Sequence, residues 1–161
     1  VPTILDRLAV FIGSGFFSGY SPFASGTFGS MVGVGLYLLL RPRDGRWAFY
    51  LGMLLLVTVI GIWSAGRCSA IFREEDPKRV VIDEVAGMLL SLAVLDGLSW
   101  KGVAAGFIIF RIFDVLKPPP AGWVDRHLHS GTGIMLDDLL AGVYTWIVMR
   151  LGLSLLGRGG P

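Results

Sequence analysis

Charge is scarce in this sequence. Only 16% of its 161 residues are Asp, Glu, Lys or Arg, where a soluble domain carries about 25%. So little polar surface cannot coat a soluble core made from a chain that is 53% hydrophobic, with a mean hydropathy of +0.68. A bilayer resolves the mismatch, because apolar side chains then face lipid. Basic runs are also missing. The net charge is +2 and no Lys/Arg stripe marks a nucleic-acid surface, so no nucleic-acid partner is expected. Cysteine is nearly absent. Cys68 alone cannot form an intramolecular disulfide, and no Cys/His cluster suggests zinc. The amino terminus does not read as a signal peptide, since Ile4–Ile12 contains Asp6 and Arg7 and no clear cleavage site follows. No internal repeat or domain boundary divides residues 1–161, which read as one domain.

Long apolar stretches and many glycines make up the rest. The clearest span is Trp47–Gly66, uncharged and long enough for a hydrocarbon core of ~30 Å, with Trp47 and Trp63 placed to anchor it. Thr27–Leu40, Val80–Leu95, Trp100–Leu116 and Leu136–Leu156 read as further spans. The expected fold is all-α: a polytopic bundle of about five membrane-embedded helices plus an amino-terminal interfacial segment at Ile4–Ile12. Loop Arg41–Arg46, a turn at Asp76-Pro77, a turn at Asp96-Gly97 and Pro118-Pro119-Pro120 punctuate it, and a short Gly-rich tail follows. Gly13–Gly26 is too irregular for a helix and too apolar for an ordinary loop. It is expected at the membrane surface or folded back on the bundle. Seven basic residues on the amino-terminal side against five on the other favour a cytoplasmic amino terminus. Many of the 23 glycines sit inside apolar stretches, which suits close helix packing.

The acids are placed unevenly. Asp83 and Glu84 open the third span, Asp114 closes the fourth, and Asp137 and Asp138 open the fifth. Antiparallel threading puts all five on one side at similar depth. Buried in one layer they repel one another, and a divalent cation is the economical remedy. Magnesium takes oxygen ligands and keeps waters and substrate phosphate in its coordination sphere. Arg111, Asp114 and Lys117 recur at i, i+3, i+6 and share roughly one helix face, and Arg126 follows in the polar loop. Carboxylates flanked by Arg and Lys make a phosphate site. Small residues follow the acids at helical spacing (Gly87 and Ser91; Ala141, Gly142 and Thr145) and let the helices close up. Simple helix capping is an equal reading for Glu84 alone or Asp137 alone, and Arg111 with Asp114 also reads as a structural ion pair. The coincidence of all five acids on one side favours function.

Four ordered motifs then resemble one family. They are Gly13-Ser14-Gly15 through Ser21-Pro22 to Gly26-Thr27-Phe28-Gly29-Ser30; Asp76-Pro77 with Val81-Ile82-Asp83-Glu84 and Gly87-Met88; Phe110-Arg111-Ile112-Phe113-Asp114 with Lys117-Pro118 and Pro120; and Gly133-Ile134-Met135-Leu136-Asp137-Asp138 with Ala141-Gly142. Across nearly its whole length the chain resembles phosphatidylglycerophosphatase A, a bacterial membrane enzyme of phospholipid synthesis. One departure is Ser25-Gly26-Thr27, where the family usually has Pro-Gly-Thr. The resemblance implies magnesium-dependent hydrolysis of phosphatidylglycerol phosphate to phosphatidylglycerol and phosphate. The enzyme would be multi-pass in the bacterial inner membrane, with its site facing the cytoplasm.

Other phosphatase chemistries do not fit the sequence. Cys68 and Arg73 fall one residue short of a C-x5-R loop, and neither a D-x-D-x-T nucleophile motif nor the histidine motifs of acid-phosphatase lipid enzymes are present. The expected metal ligands are therefore Asp83, Glu84, Asp114, Asp137 and Asp138, one of the acids also serving as a base. Arg111 and Lys117 are expected to stabilise the transferring oxygens. Ser21, Thr27, Ser30 and Arg126 are further candidates for holding the phosphate, through hydroxyls, backbone N–H groups at a helix start, or charge. A small transporter remains an alternative, but it calls for acids near the midplane and an inverted repeat. Another lipid-phosphate enzyme is a second alternative. Oligomeric state is not legible.

Overall fold

The computed structural model describes residues 2–41, 46–93, 95 and 98–157. The turn read at Asp96-Gly97, most of the loop before Trp47 and the Gly-rich tail lie outside these residues. Among the described residues seven α-helices follow one another: α1 Ile4–Gly13, α2 Ser25–Leu40, α3 Trp47–Phe72, α4 Ile82–Ser91, α5 Trp100–Leu116, α6 Ala121–His127 and α7 Gly131–Gly157. A single 3-10 turn, Ser18–Tyr20, sits between α1 and α2. There is no strand among the described residues.

Each expected span contains a helix, but the helices differ in whether they are long and apolar enough to cross a membrane. Among the described residues only α3, with 26 residues, is long and apolar enough to cross a membrane. Helices α2 and α5, with 16 and 17 residues, extend about 24–26 Å, and ten-residue α4 about 15 Å. These fall short of a hydrocarbon core of ~30 Å. Helix α7, with 27 residues, carries Asp137 and Asp138 near its start and Arg150 near its end.

Helix α4 is the centre of the bundle, packed against α2, α3, α5 and α7. Its Val85, Ala86, Met88 and Leu89 are at most 1% exposed. Glycine makes that packing possible. A Cβ on Gly29 of α2 would lie 2.7 Å from the Val81 Cβ, and one on Gly33 2.7 Å from the Met88 Cβ. Gly87 and Gly142 face each other across α4 and α7, where a Cβ on Gly142 would meet the Gly87 carbonyl at 2.6 Å. Small residues at these contacts let the helix backbones approach closely. A helix ending inside a bundle leaves carbonyls that need donors. Tyr50 Oη donates to the Leu89 carbonyl at 2.6 Å, Ser91 Oγ to Gly87 at 2.8 Å, and Trp146 Nε1 to Ala93 at 2.7 Å.

The Gly13–Gly26 stretch folds back against this bundle. Gly13 packs on Cys68, and its carbonyl accepts the Val81 N–H at 2.8 Å. Gly15 turns the chain with φ +54°, a conformation open to glycine at no steric cost. Helix α1 begins with a capping box in which Thr3 and Asp6 satisfy each other's backbone N–H. Arg67 of α3 donates to Asp6 at 2.8 Å and ties α1 down. Helix α5 ends at Lys117 in the left-handed region, and the three prolines that follow cannot extend it.

Candidate active site

The first turn of α4 meets α7 at a group of carboxylates. One oxygen each from Asp83, Glu84 and Asp138 lies within 4.8 Å of the others. Asp83 is 8% exposed and Asp138 4%. Asp83 Oδ1, Glu84 Oε2 and Asp138 Oδ2 are buried without a hydrogen-bond partner. Buried polar atoms are normally satisfied, and three neighbouring carboxylates, each with one unsatisfied oxygen, could hold a cation. The donors are hard oxygens with no sulfur or imidazole among them, the set suited to magnesium, calcium or manganese.

The other two expected ligands are engaged by cations instead. Asp114 Oδ2 forms an ion pair with Arg111 Nη1 at 2.6 Å. Asp137 Oδ2 accepts from Lys117 Nζ at 2.6 Å, while its Oδ1 accepts the Asp138 N–H at 3.0 Å. Lys117 also donates to Asp125 at 2.5 Å. Thus α5 supplies two cations on carboxylate tethers beside the three-acid group. Ser30 adds to the Arg111 tether: its Oγ accepts from Nη1 at 3.3 Å and donates to the Gly26 carbonyl at 2.9 Å. Its role is to hold Arg111.

A cleft of about 650 Å³ opens beside this group. Glu84, Arg111, Asp114 and Lys117 line one part, and Tyr20, Ser21, Ser25, Gly26, Lys78 and Arg79 line others. Ser21 is there as expected, its hydroxyl donating to the Phe23 carbonyl at 2.9 Å. Thr27 and Arg126 are not among the lining residues; Thr27 is half-buried in the first turn of α2, and Arg126 is exposed on α6. No side chain caps α2; the Thr27 N–H bonds the Ala24 carbonyl at 2.9 Å, and Ser25 and Gly26, at the helix end that favours an anion, line the cleft. The departure from the family pattern falls here, since Ser25 is the first residue of α2, where proline is well accommodated. The helix starts there without it.

Sequence reading missed Lys78, Arg79, Ser25 and Asp125 as site residues. Lys78 and Arg79 directly precede the Val81–Glu84 motif, and that adjacency was the available signal. Gly26 has a sharper role than the motif suggests. A Cβ there would sit 2.3 Å from Glu84 Oε1 and 3.0 and 3.1 Å from the Arg111 guanidinium nitrogens.

An all-helical protein whose buried carboxylates open on a cleft walled by arginine and lysine is organised to handle phosphate esters. Comparison with known proteins gives the family. A model described as phosphatidylglycerophosphatase A matches residues 11–153, and the chain belongs to that family of phosphatases. The phosphatidylglycerophosphatase A of Escherichia coli K12 is 40% identical over 129 residues, covering 80% of this chain and 74% of its own. That of Haemophilus influenzae is 37% identical over 135 residues, 84% and 82% of the two chains. A Bacteroides thetaiotaomicron protein, named provisionally as a phosphatidylinositol-3-phosphatase, is 40% identical over 156 residues, 93% and 96% of the two chains. No solved structure matches.

Proposed function

We propose that this phosphatase hydrolyses phosphatidylglycerol phosphate to phosphatidylglycerol and inorganic phosphate, using magnesium, at the cytoplasmic face of a bacterial inner membrane. The observation that carries the reading is the meeting of the Asp83, Glu84 and Asp138 carboxylates, each with one unsatisfied oxygen, beside a cleft lined by Arg111 and Lys117. Those three carboxylates would hold the ion, and the cleft leaves room for waters and phosphate oxygens. When bound, magnesium supplies positive charge to the phosphoryl oxygens and acidifies water. Arg111 and Lys117 take up charge on the transferring oxygens. Their carboxylate tethers orient them before substrate arrives, so little reorganisation is needed during reaction. Asp114 and Asp137 serve as those tethers.

A multi-pass membrane location is supported by the outer surface. Leu39 is 82% exposed, Leu55 64%, Val59 57% and Leu151 58%, a pattern that suits lipid contact rather than water. Phe11, Phe16, Phe17 and Tyr20 form an exposed aromatic cluster beside α1, as expected of an interfacial anchor. The shorter helices would then lie against α3 and α7 within the bilayer. A second substrate, phosphatidylinositol 3-phosphate, enters through the Bacteroides relative. Both are lipids whose phosphomonoester stays near the interface while their chains remain in the bilayer.

Phosphate release by purified protein in detergent micelles, with magnesium or with EDTA, tests the reading. Release from phosphatidylglycerol phosphate only with magnesium is expected. No release from that lipid would remove the substrate assignment, and equal release in EDTA would remove the metal. Cysteine labelling from each side of the membrane tests the orientation. Labels beside Asp83 and Asp137 that react from opposite sides would contradict it.

A further inference from the structure

The four cations of the cleft differ in what neutralises them. Arg111 is paired with Asp114, and Lys117 with Asp125 and Asp137. Lys78 and Arg79 form no ion pair among the described residues. Both are exposed at the wall of the same cleft.

Their segment is nonetheless firmly placed. A Cβ on Gly19 would lie 2.2 Å from the Arg79 carbonyl oxygen, so the 3-10 turn presses directly on this backbone. Val80 N–H donates to Pro77 and Val81 N–H to Gly13, each at 2.8 Å. The Arg79 guanidinium lies over two rings, 5.2 Å from the Phe72 centroid and 5.8 Å from that of Tyr20. These contacts orient it without neutralising it. The cleft thus has a second pair of cations, besides Arg111 and Lys117, with no ion-pair partner of its own among the described residues.

Each of the two lipids considered above carries two phosphates. Besides the monoester that is cleaved, a phosphodiester joins the head group to diacylglycerol. In phosphatidylglycerol phosphate the two phosphates sit on carbons 1 and 3 of the terminal glycerol. In phosphatidylinositol 3-phosphate they sit on carbons 1 and 3 of the ring. Three carbons therefore separate the phosphate-bearing oxygens in both. The geometry points to Lys78 and Arg79 as the seat of the phosphodiester while the monoester faces Arg111, Lys117 and the acids. The cleft thereby selects lipids with a phosphodiester and a phosphomonoester on carbons 1 and 3 of a polyol head group. This assignment rests on the lipid-phosphatase reading and makes Lys78 and Arg79 specificity residues. Arginine and lysine are suited to the task, since charge-assisted bonds to phosphate are roughly twice as strong as neutral ones.

The test compares phosphatidylglycerol phosphate with phosphatidic acid, which has a monoester and no diester, in detergent micelles. The parent should favour the two-phosphate lipid. The Lys78→Gln/Arg79→Gln double variant should raise KM for that lipid by about 10- to 100-fold, the scale of losing a charged hydrogen bond. Its kcat should change little, and turnover of phosphatidic acid should fall far less, collapsing the preference. Phosphatidic acid hydrolysis also reports that the variant is folded. Phosphatidylinositol 3-phosphate, run alongside, distinguishes the two head groups, and KM should rise for whichever the parent cleaves. An unchanged KM would mean that the pair is merely solvated. Equal losses on both lipids would mean that it serves the fold or attracts anionic lipid in general. Either result overturns the assignment while leaving the lipid-phosphatase reading intact. A parent inactive on every two-phosphate lipid overturns both.

Discussion

Replacing Gly26 by alanine perturbs the site through a single methyl group. The added Cβ would lie 2.3 Å from Glu84 Oε1, where ordinary contact begins at 3.4 Å, and 3.0 and 3.1 Å from the two Arg111 nitrogens. Glu84 must retreat by about 1 Å, and Arg111 must give way by a few tenths of an ångström. Both contacts are with the ends of flexible side chains, so the helices need not separate. Folding cost is therefore small, and alanine's helix preference of up to ~1 kcal/mol offsets it. Catalysis is less tolerant, since a misplacement of ~1 Å can cost ~10²-fold, equivalent to about 2.7 kcal/mol of barrier. Initial rates on phosphatidylglycerol phosphate should fall by about that factor, while the thermal midpoint in detergent stays within a few degrees of the parent. Gly35→Ala is the matched control on the same helix: nothing lies within 4 Å of its added Cβ, and activity should be parental. A Gly26→Ala enzyme with parental kcat would refute the placement of Glu84 and Arg111 in the reaction.

Other substitutions separate the roles of neighbouring residues. Asp83→Asn and Asp138→Asn should each leave folded protein with activity lowered by at least ~10²-fold and a weaker thermal shift on adding magnesium; parental rates in both would remove the metal site. Asp137→Asn leaves Lys117 its bond to Asp125, so a loss of about 10-fold is expected, less than for Asp138→Asn. Gly142→Ala meets the Gly87 carbonyl at 2.6 Å and must push backbones apart, which should cost about 1–3 kcal/mol in detergent unfolding as well as in activity. The Asp6 carboxyl is held below the usual range, chiefly by hydrogen bonds from Thr3 and further by Arg67. Its stabilisation of α1 is present above the ordinary carboxylate pKa and is lost as pH falls through the lowered value. Asp6→Asn should therefore flatten the acid limb of a stability profile, and an unchanged limb would contradict the tie to α3.

Hydropathy made the larger helices legible, and Trp100–Leu116 coincides with α5 to the residue. It could not show that α4 stops at Ser91 while the apolar run continues to Leu95. The stop depends on Tyr50 and Trp146, which come from distant segments to bind carbonyls near its end. Helix α6 was read as polar loop because its seven residues follow three prolines and include Asp125, Arg126 and His127. Within the site, the acids stood out as rare charges in apolar surroundings. Their division of labour did not, because Asp137 and Asp138 differ only by the ~100° between successive helix positions. That rotation sends one to Lys117 and the other to Asp83 and Glu84. Nothing in the spacing of Lys78 and Arg79 ties them to the cleft; it is the fold that brings the 3-10 turn against the Arg79 backbone and both residues to the cleft wall.

The centrality of α4 constrains how the protein is made. With ten residues opening on Asp83 and Glu84, it is too short and too polar at one end to partition into lipid by itself. It needs a socket, and much of that socket belongs to α7, through Gly142 against Gly87. Because α7 is translated after α4, the nascent chain must hold α4 in waiting until α7 arrives with Asp138. The carboxylate group is thus completed only once α7 has been made, and a ribosome stalled before Gly131 would leave an assembly intermediate without phosphatase activity.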